Sequence, residues 1–235
     1  MKTNIFYSLL KSLHVAFLKL KFKKKGVRFI GYSVIDNRCQ FEGFNSVGKN
    51  NKLLGCFFGR GSYTGTSVQF YQVQIGRFCS IASNVKNIVG RHPTSVFVST
   101  HPAFFSTGKA AGFTFSTKNK FREKVPVNDD FLVVIGNDVW IGENVTIMDN
   151  VIIGDGAIIG ANSLVTKNIM PYSINWGIPA RPVRYRFDKD TITFLQHNKW
   201  WDRDLEWIKE NHDLFENIEL YIRHVNEKDE MWANK

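Results

Sequence analysis

Between residues 135 and 165 an apolar side chain returns at every sixth position: Ile135, Ile141, Ile147, Ile153, Ile159 and Val165. Neither an α-helix nor an ordinary β-strand has that period, so the pattern is that of a repeat. Four of the six are followed by glycine (Gly136, Gly142, Gly154, Gly160). Four places after the first five stands a small or β-branched residue: Val139, Val145, Val151, Ala157 and Ser163. One short strand and one tight corner per six residues, with three strands closing a triangular coil, accounts for both regularities. Stacked coils pair in parallel and pile the repeat positions into a narrow interior, and glycine is expected to relieve backbone strain at the turns. The same phase is read earlier at Tyr63, Gln69, Ile75 and Ile81, and a fainter series in another phase runs through Phe29, Ile35, Phe41, Val47 and Leu53.

The pattern predicts a mainly β chain in three parts: an N-terminal segment over 1–26, a β-helix domain over 27–187 and a helical region over 188–235. The repeats themselves run to about residue 170, slip phase near Gly55 to Gly61, and are interrupted by a loop excursion over 87–131. A loop of that length is uncommon unless it is functional, and its phenylalanines (Phe97, Phe104, Phe105, Phe113, Phe115, Phe121) predict that it packs against something. Phe6, Leu9, Leu10, Leu13, Phe17 and Leu20 stand at helical spacing and predict an N-terminal amphipathic helix, too interrupted by Lys11, His14 and Lys19 to span a bilayer. From Asp188 onward two short helices are expected. Both appendages are read first as caps for the open ends of the solenoid.

Composition adds a direction. The three cysteines, Cys39, Cys56 and Cys79, lack metal-type spacing and no secretory leader is read ahead of them, which suggests a cytoplasmic setting, peripheral to the membrane at most. A formal charge of +10 asks for an anionic partner, with cations grouped at Lys19 to Arg28, Lys118 to Lys124 and Arg181 to Arg186. No GxGxxG, P-loop, HExxH or CxxC framework is present, which argues against dinucleotide folds, nucleotide hydrolases and common zinc sites.

The run IGNDVWIGENVTIMDNVIIGDGAIIGANSLVTKNI, followed by GIPARPVRYRF and preceded by IGRFCSIASNV and STHPAF, resembles the hexapeptide-repeat acyltransferases. Within them it resembles the xenobiotic and chloramphenicol acetyltransferase branch with its sugar O-acetyltransferase relatives. The resemblance covers about residues 63–205. It implies a left-handed parallel β-helix, a homotrimer with active sites between subunits, and acetyl-CoA as co-substrate, with no metal required and no nucleic-acid partner. It places the catalytic base at His92, with His101 as the nearby competitor, and the CoA-contacting roles on Trp140, Gly142, Ala161, Thr166, Lys167, Arg181 and Arg184.

A histidine suits the base because its ordinary pKa lies near working pH, and cations suit the phosphate end of CoA. Asp149 and Asp155 could orient a histidine, though spacing selects neither. The expected reaction is direct acetyl transfer to a sugar hydroxyl, in cell-surface polysaccharide or lipopolysaccharide synthesis. The alternatives are an amino-sugar or antibiotic acetyltransferase, a metal-dependent β-helix enzyme needing three histidines, and a membrane-associated scaffold. Residues 1–25 are expected to pack as a cap and to touch a membrane only weakly.

Overall fold

The computed structural model describes residue 13 and residues 15–233, and their side chains through residue 227. The chain divides into two units, Met1–Arg186 and Phe187–Lys235.

The first unit is a solenoid of triangular coils. In chain order these are β1 (Arg28–Phe29), β2 (Val34–Ile35) and β3 (Gln40–Phe41); β4 (Ser46–Val47), β5 (Lys52–Leu54) and β6 (Phe57–Phe58); β7 (Tyr63–Thr64), β8 (Gln69–Tyr71) and β9 (Val73–Ile75); β10 (Ser80–Ile81), β11 (Lys86–Ile88) and β12 (Val133–Ile135); β13 (Trp140–Ile141), β14 (Thr146–Met148) and β15 (Val151–Ile153); then β16 (Ile158–Ile159) and β17 (Leu164–Val165). Every third strand pairs in parallel, which makes three flat faces. The first face runs β1-β4-β7-β10-β13-β16 and is extended by β18 (Ser173–Gly177) and the antiparallel β19 (Ala180–Tyr185).

Inside each face the repeat positions form ladders. Val47, Thr64, Ile81, Ile141 and Ile159 line the first; Ile35, Leu53, Phe70, Ile147 and Val165 the second; Phe41, Phe58, Ile75, Ile135 and Ile153 the third, all of them buried. The small or β-branched residues just before or at the start of the strands are buried too, as with Val139, Val145, Val151, Ala157 and Ser163.

Several expectations need correction. Tyr63 and Gln69 point outward, and their neighbours Thr64 and Phe70 hold the core positions. The spacing between core residues drops to five twice, from Leu53 to Phe58 and from Phe70 to Ile75, so the phase slips twice rather than once. The glycines after the isoleucines are not at left-handed φ. A side chain at Gly136, Gly142 or Gly154 would come within 2.8, 2.6 and 2.6 Å of the backbone nitrogen of Asp155, Ala161 and Pro171 on the next coil. Close stacking, not strain, therefore excludes a Cβ there. Asparagine, a residue that tolerates αL, takes several of the left-handed positions, at Asn50, Asn84, Asn144, Asn150 and Asn162 (φ 60°). The excursion spans 89–132, since β11 extends to Ile88 and β12 begins at Val133.

The first coil is covered by a helix, α1, over residues 15–23. Its Val15, Leu18 and Phe22 are buried in the same core as Val27 and Phe41, with the Phe22 and Phe41 rings edge to face at 4.9 Å. Leu13, Phe17 and Leu20, read in sequence as the packing stripe, are instead exposed. Phe6, Leu9 and Leu10, and the other residues of 1–12, lie outside the described residues.

The second unit holds three α-helices rather than two: α2 (Lys189–His197), α3 (Leu205–Glu210) and α4 (Ile218–Ala233), with 3₁₀ turns at Trp200–Asp202 and His212–Glu216. Asp188 caps α2, its carboxylate accepting the Thr191 N–H at 2.9 Å. Among the unit's described side chains Trp201, Leu195, Tyr221 and Val225 are buried.

Candidate active site

The excursion from Ile88 to Val133 has its own interior, in which Phe105 is fully buried. The Phe97 and Phe121 rings meet it edge-on at 6.1 and 5.5 Å. A second cluster joins Phe104, Phe113 and Phe115. The buried Asp149, just after β14, ties both ends of the loop to the solenoid. One carboxylate oxygen accepts from the Arg91 guanidinium at 2.7 Å and the other from the Val125 N–H at 3.0 Å. Asp155 is occupied elsewhere, accepting from the Asn137 backbone and amide. Among the described residues no histidine is hydrogen-bonded to either carboxylate.

His92 follows Arg91 directly, so the Arg91–Asp149 anchor fixes where its backbone lies. Its Nδ1 is 2.7 Å from the Thr100 carbonyl, and the ring stands perpendicular to Phe105 at 5.9 Å. A carbonyl only accepts, so the neutral ring carries its proton on Nδ1 and keeps the Nε2 lone pair free. His101 has the opposite arrangement. Its Nδ1 accepts the Ala103 N–H at 3.2 Å, capping the 3₁₀ turn Pro102–Phe104, which leaves the proton on Nε2. Its ring lies against Phe113 at 6.1 Å. Of the two neutral rings, His92 presents a lone-pair acceptor at Nε2 and His101 an N–H hydrogen-bond donor.

The remaining nominated residues fall on the last coils. Trp140 projects from β13, half exposed, in one transverse row with Ile158, Ile174 and Arg184. Gly142 and Ala161 are stacked at the corner that follows this face. Arg181 and Arg184 lie on β19 at the end of the same face, each donating to a main-chain carbonyl next to it, Ala180 and Tyr185. Arg186 at the end of β19 instead pairs with Asp138 at 2.8 Å, opposing the burial that lifts that carboxyl above its ordinary range. Thr166 and Lys167 sit across a different corner, after β17, and Lys167 is exposed. One face and its corner therefore gather Trp140, Gly142, Ala161, Arg181 and Arg184. Thr166 and Lys167 stand apart on the next corner, and His92 projects from the loop.

Sequence reasoning missed Trp176, an exposed indole paired with Arg181 on the same face, and the loop anchors Arg91 and Asp149. The adjacency of an arginine to the nominated histidine was the one available signal. The Thr100 carbonyl had none, because every residue has one.

A family profile, bacterial transferase hexapeptide (six repeats), matches residues 132–167. A probable macrolide acetyltransferase of Lysinibacillus sphaericus is 43% identical over 147 residues, covering 62% of this chain and 74% of the relative. A chloramphenicol acetyltransferase of Agrobacterium fabrum is 41% identical over 137 residues, covering 57% of this chain but only 62% of the relative. Among solved structures, an N-acyltransferase from Bacillus cereus in complex with dTDP and coenzyme A aligns with a TM-score of 0.45 at 20% identity, over 78% of this chain and 96% of that one. On the identity to the Lysinibacillus relative and the repeat carried by its coils, the chain belongs to the hexapeptide-repeat acyltransferase family.

Proposed function

We propose that this protein transfers the acetyl group of acetyl-CoA to a hydroxyl of a sugar acceptor, with His92 as the general base. The observation that carries the reading is the bond from His92 Nδ1 to the Thr100 carbonyl, which leaves Nε2 as a lone-pair acceptor on an exposed ring. In the proposed step Nε2 takes the acceptor's hydroxyl proton as the oxygen attacks the thioester carbonyl. The tetrahedral oxyanion then collapses, the C–S bond breaks, and the CoA thiolate leaves with the proton that His92 holds. The Thr100 carbonyl stabilises the imidazolium in between. The stacked Gly142–Ala161 backbone offers a flat strip for the pantetheine arm beside Trp140, and Lys167, Arg181 and Arg184 offer charge to the phosphates.

In this reading the enzyme works as a homotrimer on the cytoplasmic side, because the base and the two groups of cofactor residues lie on separate parts of one chain and a neighbouring subunit would bring them together. A sugar acceptor in a cell-surface polysaccharide or lipopolysaccharide is favoured over an antibiotic because the coils β1–β6 and α1 lie ahead of the region that carries the resemblance. The test is acceptor-dependent CoA release from acetyl-CoA across a panel of free sugars, nucleotide sugars, amino sugars and chloramphenicol, with product mass identifying the acetylated atom. Release driven by chloramphenicol or by an amine, and by no hydroxylated sugar, would replace this acceptor assignment.

A further inference from the structure

We infer that α1 and the turn after it form a docking surface for an anionic phospholipid bilayer. Helix α1 has two apolar faces. Val15, Leu18 and Phe22 are 5%, 6% and 5% exposed and close the core. Leu13, Phe17 and Leu20 are 59%, 65% and 64% exposed, at i, i+4 and i+7. Two residues along a helix is a rotation of roughly 200°, so Phe17 and Leu20 lie opposite Val15 and Leu18. The helix thus keeps its capping role while turning a second apolar stripe outward. Beside the stripe a shallow cleft of 600 Å³ opens between the helix and β1, floored by Ala16, Leu20, Val27 and Phe29 and rimmed by Lys23 and Arg28.

The charge around this stripe identifies the occupant. Residues 15–35 carry Lys19, Lys21, Lys23, Lys24, Lys25 and Arg28 and no acidic side chain. A second copy of the chain on this face would set those cations against one another. A nucleic acid would meet the charge and leave the leucines and phenylalanine in water. An anionic bilayer satisfies both, taking the apolar stripe at the level of the acyl chains and the lysines at the headgroups. Among the described residues no helix is long and apolar enough to cross a membrane. This inference is independent of the acetyl-transfer reading.

The test is co-sedimentation of the full chain with vesicles of phosphatidylcholine alone or with about a third phosphatidylglycerol. The expected result is binding to the anionic vesicles that weakens at least about tenfold on neutral vesicles, and likewise when salt rises from about 0.1 M to about 1 M. Phe17→Ser/Leu20→Ser and Lys23→Glu/Lys24→Glu should each cost a similar factor, with melting temperature and elution volume unchanged. If the serine variant melts lower than the parent, Lys23→Glu/Lys24→Glu, at exposed positions, decides. Three outcomes overturn the inference: no binding to anionic vesicles; a serine variant that binds as well as the parent, the result a charge-only nucleic-acid surface would give; or a serine variant that elutes as a smaller assembly, which would make the stripe a contact between copies.

Discussion

Replacing Phe70 by alanine tests the position of the second phase slip, because its neighbour Gln69 is an internal control on the same strand. Phe70 is 2% exposed and sits in the ladder between Leu53 and Asn87, whereas Gln69 points to solvent. Removing the ring takes away about 150 Å² of buried apolar surface, worth about 4 kcal/mol at about 25 cal/mol per Å², and the cavity left behind keeps the cost within about 3–5 kcal/mol. For a chain of this size that is a fall in Tm of about 6–20 °C. Gln69→Ala should move Tm by no more than about 2 °C, the effect of an ordinary surface change of about 0.5 kcal/mol. The assay is thermal unfolding by circular dichroism at matched protein concentration. A Gln69→Ala variant as destabilised as Phe70→Ala would refute the inward assignment of Phe70 and with it the five-residue spacing from Phe70 to Ile75.

Other perturbations read different parts of the account. Lys167→Ala and Arg181→Ala should each raise the KM for acetyl-CoA with a smaller change in kcat, since a phosphate contact binds ground and transition states alike; a collapse of kcat at constant KM would move these residues into the chemistry. Cys39, Cys56 and Cys79 are all buried, and burial pushes the Cys79 thiol up to about 12, so the native protein should not react with an aromatic disulfide at neutral pH, and all three should titrate once it is unfolded. Native-state reaction of even one thiol would mean that a corner of the solenoid opens. Deleting residues 1–25 should expose Val27 and Phe41 and lower Tm or cause aggregation; a truncated chain as stable as the parent would show that α1 caps nothing.

The solenoid was most legible where every coil has the same length. From Ile135 to Val165 each member of the six-residue series faces the same interior, so a six-residue period is all the physics requires. The reading failed at Tyr63 and Gln69 because a coil shortened by one residue moves the core position to the next side chain, and Thr64 is too polar to advertise itself as core. In that interior Thr64 is satisfied by Asn51, whose amide donates to its hydroxyl at 2.7 Å, a partnership thirteen residues apart that no local pattern reveals. Helix α1 misled for another reason: it has apolar residues on both faces, and only contact with Phe41 tells which one is buried. His92 could be nominated by resemblance, but what distinguishes it from His101 is a main-chain carbonyl against a main-chain N–H, a difference set by loop conformation.

The most direct measurement of the central claim is a comparison of acceptor-dependent CoA release by His92→Ala and His101→Ala variants, with acetyl-CoA affinity and Tm measured on the same preparations. The account predicts that His92→Ala loses about two to four orders of magnitude in turnover with acetyl-CoA affinity and Tm near the parent's, while His101→Ala loses much less. If His101→Ala is the inactive variant and His92→Ala turns over near the parent rate, the base is not His92, and the tautomer argument built on Thr100 is wrong.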